Sequence, residues 1–161
     1  MSVGSSDQGS IRLSLLDRLI DYDPTNSQEV PPTNAECLRI VRQSLKRDLE
    51  DLLNTRFRCV SWPPELNQLD DSLINYGIPD FTAASLSAAD DSDVLVAAIR
   101  RAIELFEPRL TDVRVKPTSI DEDYDRMFRF RIEGFLTIED GDHRVKFDSS
   151  MESTTGQFDI S

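Results

Sequence analysis

The sequence predicts an α+β domain in which N-terminal helices pack on a small antiparallel sheet of three to four strands. Apolar residues between positions 34 and 106 recur at intervals of three and four, as in amphipathic helices. After position 110 they alternate with polar residues, as in strands with one buried face. Helices followed by a run of strands predict separate layers rather than alternating βαβ units.

The composition is typical of a globular chain with one domain. The chain has 161 residues, of which 39% are hydrophobic and 30% are charged, and this length allows one sizeable core. Thirty acidic and 18 basic residues give a formal net charge of −12. This charge either serves solubility or attracts a basic protein surface, and it predicts no nucleic-acid partner because it repels phosphate backbones.

The N-terminal part divides into two segments ahead of the domain, which is predicted to span residues 33–161. Residues 1–10 are rich in Gly and Ser and are predicted to be disordered. Residues 11–32 are predicted to be a docking segment and a polar linker. A helix this short is marginal in water, so it either packs on its own domain or docks into another protein. Its apolar residues at helical spacing are Leu15, Leu16 and Leu19.

Two longer helices are predicted before the strands. Residues 33–36, Thr-Asn-Ala-Glu, match a capping box and open a helix that should end near Asn54. A second helix should end at Glu107, because a residue before proline disfavours the α region. Between them, Gly77 suits the left-handed end of a short helix, with Tyr76 packed beside it.

The strands are predicted from the change to a period of two. A first strand follows Leu110, and a second, long strand covers residues 128–138. Gly134 within it indicates a bulge or a close backbone approach. Asp140-Gly141 predicts a hairpin turn into a third strand, and residues 158–160 predict a short last one.

The tetrad Glu107-Pro108-Arg109-Leu110 is the most informative local feature. Pro108 fixes its own φ and lacks a backbone N–H, which predicts a rigid corner between helix and strand. The corner holds a carboxylate and a guanidinium two residues apart. They either pair internally across the corner or contact a partner, and the two roles are compatible.

Taken together, the segments resemble the TssE family, the type VI secretion baseplate subunits related to a wedge protein of contractile phage tails. The resemblance runs over most of the chain, and its weight comes from the order of five short segments. These are residues 15–19 (LLDRL), 51–56 (DLLNTR), 72–80 (SLINYGIPD), 106–110 (FEPRL) and 145–148 (VKFD).

The resemblance implies a structural subunit in the cytoplasm, in a baseplate docked at the inner membrane, with no membrane insertion. The partners it implies are the wedge proteins TssF and TssG, with TssK as a further candidate, and the sheath proteins TssB and TssC. We expect wedge contacts from Glu107, Pro108, Arg109, Leu15, Leu16 and Leu19. We expect sheath contacts by strand addition at the C-terminal sheet, with side chains of Phe147, Phe158 and Ile160. Alternatively, the last strand closes the chain's own sheet.

No catalytic, cofactor or metal site is predicted, so we expect no enzyme. A lysozyme-like glycoside hydrolase, the label that the family carries, is one alternative, and a small soluble binding module is another. A glycosidase needs a carboxyl group of raised pKa, whereas Arg109 close to Glu107 would lower the pKa of that carboxyl. His143 is the only histidine, and the two cysteines, Cys37 and Cys59, lack zinc-site spacing.

Overall fold

Helices N-terminal to a four-stranded antiparallel sheet confirm the predicted α+β class. The computed structural model describes residues 11–20, 25, 32–57, 61–81, 89–119, 127–139 and 141–161. The predictions made for residues 1–10, for most of the linker before Pro32, for Cys59 and for Asp140 lie outside these described residues. The helices are α1 (Leu15–Leu19), α2 (Asn34–Asn54) and α3 (Ala89–Phe106), with two 3₁₀ helices, η1 (Pro64–Asp71) and η2 (Leu73–Asn75). The strands are β1 (Leu110–Ser119), β2 (Met127–Ile138), β3 (Gly141–Glu152) and β4 (Phe158–Ile160).

Helix α2 begins and ends where the sequence predicts. The backbone N–H of Glu36 donates to the Thr33 hydroxyl at 3.3 Å, and the Glu36 carboxylate accepts from the Thr33 N–H at 2.7 Å, which completes the capping box. One stripe of the helix is buried in the core, with Val41, Leu45, Leu49, Leu52 and Leu53. None of the helices among the described residues is long and apolar enough to cross a membrane.

The segment between α2 and α3 differs from the single short helix that was predicted there. It forms two 3₁₀ helices, of which η1 ends at Asp71 and η2 at Asn75, and Leu66 inside η1 has non-helical backbone angles. Gly77 follows with a φ of 108°, the left-handed value that was predicted. This allows the buried Ile78 to form a parallel bridge with Arg56, where the Ile78 N–H donates to the Thr55 carbonyl at 3.0 Å.

The sheet has the strand order β1-β2-β3-β4, with every neighbouring pair antiparallel. Its core face carries Phe128, Phe130, Ile132 and Leu136 of β2, against the buried stripes of α2 and α3. Opposite Gly134, β1 is bulged where Asp112 has a φ of 49°. A Cβ on Gly134 would lie 3.1 Å from the Thr111 carbonyl oxygen, so the predicted close backbone approach is confirmed.

Gly77 and Gly141 have similar backbone angles but differ in the space around them, so a comparison of the two tests how tightly the bridge at Ile78 is packed. Gly77 and Gly141 have φ values of 108° and 129°. An added Cβ would overlap the Thr55 carbonyl at Gly77, but at Gly141 it meets nothing within 4 Å. We therefore expect Gly77→Ala to lower the free energy of unfolding by at least about 3 kcal/mol, and Gly141→Ala by about 1–2 kcal/mol. Urea unfolding measures both, and equal losses would contradict the steric argument.

Candidate functional site

The corner Glu107-Pro108-Arg109 is fixed by backbone hydrogen bonds on both sides. The Glu107 N–H donates to the Ile103 carbonyl at 2.9 Å, which belongs to the last turn of α3. The Leu110 N–H donates to the Glu107 carbonyl at 3.1 Å, and the Arg109 carbonyl accepts from the Thr137 N–H at 2.9 Å. The corner therefore holds the end of α3 next to the start of β1 and against β2.

Arg109 joins two carboxylates at this corner. Its Nε donates to Glu107 Oε1 at 2.6 Å, and its Nη2 donates to Glu107 Oε2 at 2.5 Å, which is a bidentate pair. The same Nη2 donates to Asp48 Oδ2 of α2 at 2.6 Å. The hydrogen bond with Glu107 is the main cause of a raised pKa of the Arg109 guanidinium. The internal pair is thus present, and contact with a partner stays a prediction.

Asp48 is a site residue that the sequence reasoning missed. It lies three positions after Leu45 and four before Leu52, so it belongs to the mainly apolar stripe of the helix. An acidic residue at such a position requires a partner, and this spacing was the available signal. Its neighbour Arg47 donates to Asp48 Oδ1 at 3.0 Å, and what could not be read from the sequence is the second partner, Arg109, 61 residues away at the corner.

The arrangement around Glu107 opposes a glycosidase mechanism. Both carboxylate oxygens accept N–H groups of Arg109, so neither is free to deliver a proton to a sugar oxygen. Within the described part of the chain, no group of three or more His, Cys, Asp or Glu side chains could hold a metal ion.

An open groove of about 470 Å³, which we call the corner groove, lies beside this ion network. It brings together three features that are separate in the sequence: Leu16 of α1, the corner and Tyr76. The Tyr76 ring packs edge-on against Phe106 with 5.2 Å between ring centroids, and burial raises the pKa of its hydroxyl. The lining residues are Ser14, Leu16, Arg47, Asp48, Leu52, Tyr76, Phe106, Glu107, Pro108 and Arg109.

The N-terminal segment is attached to the domain by the apolar side chains of Ile11 and Leu13 and by polar contacts. Ile11 belongs to the buried core, so the core includes a residue that the predicted boundary at residue 33 leaves out. The Arg12 N–H donates to Glu139 Oε2 at 3.0 Å, and Asp17 forms an ion pair with Arg47 at 3.5 Å. The apolar side chains of α1 nevertheless face solvent: Leu15, Leu16 and Leu19 are 76%, 55% and 81% exposed.

The residues proposed for the sheath lie in the chain's own core. Phe147, Phe158 and Ile160 are only 7%, 2% and 0% exposed, and Phe158 packs on Phe130 with 5.9 Å between ring centroids. The alternation of β3 and β4 directs these side chains to the core face of the sheet. In this arrangement the three side chains are covered by the chain's own core, and a contact with sheath subunits stays a prediction.

The backbone of β4 is paired on both sides at Phe158. On its outer side the Asn54 side chain accepts the Phe158 N–H at 2.9 Å and donates to the Phe158 carbonyl at 3.0 Å. Arg56 adds a hydrogen bond to the Gly156 carbonyl and lies 5.5 Å from the Phe158 ring centroid. The amide of Asn54 thus occupies the position of a residue on an added strand and closes this part of the edge.

Comparison with known proteins gives one match. Residues 40–140 match the model of a family described as baseplate wedge protein gp25. A search of the curated proteins and a search of the solved structures each returned no match. The matched range contains Asp48, Asn54 and the corner, whereas α1 and β4 lie outside it.

Removal of the guanidinium should destabilise the fold. Arg109→Ala leaves the buried Glu107 carboxylate without its partner, so we expect the free energy of unfolding to fall by about 2–4 kcal/mol. The matched control is Arg101→Ala, because the Arg101 pair with Asp71 is well exposed and its loss should cost less than about 1 kcal/mol. Urea unfolding of both variants decides the matter, and similar losses would mean that the corner pair is not structural.

Loss of the Asn54 amide should free the backbone of β4. Asn54→Leu removes both hydrogen bonds to Phe158, so the backbone amide hydrogen of Phe158 should exchange at least about tenfold faster. Asn75→Leu is the control, because the Asn75 amide donates only to carbonyls of η1, at 3.2 and 3.1 Å. Hydrogen exchange monitored by NMR measures the effect. Unchanged exchange at Phe158 in Asn54→Leu would show that Asn54 does not close the edge.

Proposed function

This chain belongs to the family of the baseplate wedge protein gp25, and on that premise we propose that it joins wedge subunits to the first ring of the sheath in a type VI secretion machine. The family match over residues 40–140 is the observation that carries the proposal. The role is structural, without a catalytic step. The proposed location is the cytoplasm, in a baseplate docked at the inner membrane.

The wedge proteins TssF and TssG are the proposed occupants of the corner groove, with TssK as a further neighbour. The groove combines apolar side chains, Leu16, Leu52 and Phe106, with the charged fork of Arg109. Nε and Nη2 of Arg109 are engaged by Glu107 and Asp48, which leaves Nη1 without a hydrogen bond to the described residues. Because the guanidinium is already held in place, a partner carbonyl or carboxylate could bind Nη1 at a small cost in side-chain entropy.

The exposed leucines of α1 extend this surface. Leu16 lines the corner groove, and Leu15 and Leu19 are more exposed than Leu16. Helix α1 has only five residues, and three of them expose large apolar side chains that a partner could bury. Ile11 and the Asp17–Arg47 pair hold this helix beside the groove. We therefore assign the leucines and the corner to one wedge-binding surface.

The sheath proteins TssB and TssC are the proposed partners of the sheet. An incoming strand at β4 would replace the two hydrogen bonds of Asn54 to Phe158 by two backbone hydrogen bonds. The number of hydrogen bonds would stay the same, so they would add little to the affinity. The affinity must then come from the rest of the contact, since Phe147, Phe158 and Ile160 are already buried.

The wedge-binding proposal is tested by replacing Leu15, Leu16 and Leu19 with Ser. Because these side chains are exposed, the melting temperature should change by less than about 3 °C. TssF and TssG should co-purify with the tagged wild-type chain and be lost from the triple variant. Val94→Ser, at a position that is 58% exposed, is the control and should retain them.

Three outcomes would count against this assignment. Absence of TssF and TssG from the wild-type sample would contradict the proposed function. Retention of both in the triple variant would remove the leucines from the binding surface. A fall of the melting temperature by more than about 8 °C would show that the leucines stabilise this domain instead.

A further inference from the structure

A second apolar surface lies on the 3₁₀ segment, apart from α1 and the corner. Leu66 of η1 and Leu73 and Ile74 of η2 are 50%, 80% and 59% exposed. Single exposed aliphatic side chains are ordinary, but three within nine residues of one segment form a feature that needs an explanation. We call these three residues the η patch.

The backbone under the η patch is held by hydrogen bonds within the segment and to the end of α2. The Asn75 amide donates to the Leu69 and Asp70 carbonyls at 3.2 and 3.1 Å, which fixes η2 against the end of η1. The Ser72 hydroxyl donates to the Leu69 carbonyl at 2.8 Å. On the other side, the bridge at the buried Ile78 joins the segment to the end of α2. The exposed side chains are therefore presented by an ordered support, as in a preformed binding surface.

A groove of about 230 Å³ lies next to this segment, between it and α3. Its walls are mainly apolar, and its polar lining residues are Asp70 and Asn75 of the 3₁₀ segment and Arg101 of α3. Phe106 lines both this groove and the corner groove, so the two grooves are neighbours. The apolar lining residues are Phe57, Pro79, Ala98, Ala102, Leu105 and Phe106.

The charges around this surface are almost all negative. The sequence has no Lys, Arg or His between Arg58 and Arg100. Glu65, Asp70 and Asp71 flank or interrupt the η patch, and the nearby cation Arg101 is paired with Asp71 at 3.4 Å. Apolar side chains beside a groove with carboxylates around them are complementary to a helix that is apolar on one face and basic on the other.

We propose that the η patch and the adjoining groove bind a basic amphipathic helix of another protein. An apolar side chain of that helix occupies the groove, its neighbours cover Leu73 and Ile74, and its Lys or Arg side chains meet Asp70 and Asp71. This surface is additional to the wedge and sheath contacts proposed above. It does not use the corner ion network.

The test uses a labelled helical peptide of Leu and Lys, about 18 residues long, with Leu at positions i, i+3, i+4 and i+7. Fluorescence anisotropy at physiological salt measures its affinity for the full chain. We expect Leu73→Ser/Ile74→Ser and Asp70→Lys/Asp71→Lys each to weaken binding by about tenfold or more. Asp142→Lys/Asp159→Lys makes the same change in net charge on the sheet and should weaken binding by less than about threefold.

Each remaining outcome contradicts the proposal. Equal weakening by the control pair would mean that only net charge attracts the peptide. Equal binding of a peptide of the same composition without an apolar face would mean that the η patch plays no part. Absence of binding by the folded wild-type chain would remove the site altogether. A dimer of the wild-type chain that Leu73→Ser/Ile74→Ser dissociates would identify a second copy of this chain as the occupant instead.

Discussion

The ion network of Arg109 is the interaction on which the arrangement of the layers depends. One guanidinium binds Glu107 at the end of α3 and Asp48 in the middle of α2, and the next residue begins the sheet. Three elements therefore meet at a single side chain. A carboxylate as buried as Glu107 is stable only with a charged partner, so alternative packings that separate the two are strongly disfavoured. The network thus specifies the angle of the corner as well as contributing to stability.

The same network explains how one residue can serve both the fold and a binding surface. The hydrogen bonds of Nε and Nη2 to Glu107 and Asp48 fix the orientation of the guanidinium. The position of Nη1 is therefore fixed as well. A partner that binds there meets a charge whose side-chain entropy was lost on folding rather than on binding. The internal pair and an external contact can therefore exist together at this corner.

The sequence predicted the features that depend on near neighbours. The capping box joins residues three apart, and the alternation of β2 follows from the pleat, so both could be read directly. The contacts of Asp48 with Arg109 and of Asn54 with Phe158 could not, because these residues are 61 and 104 positions apart and meet only in the completed topology. The burial of Phe158 and Ile160 in the chain's own core could not be read from the sequence either, because alternation is identical whether a strand completes its own sheet or a partner's.

The edges of the sheet show how such a subunit can take part in an assembly without associating indiscriminately. At β4 the Asn54 amide already satisfies Phe158, and at β1 a bulge at Asp112 and a proline at position 117 interrupt the ladder. However, β4 pairs only with Ser149–Met151 of the twelve-residue β3, so it covers one end of that edge and not its whole length. A strand from another chain would have to displace the Asn54 amide at β4, whereas the rest of β3 lies beyond this obstacle. Specificity would then reside in exposed side chains, whereas the backbone pairing would provide only alignment.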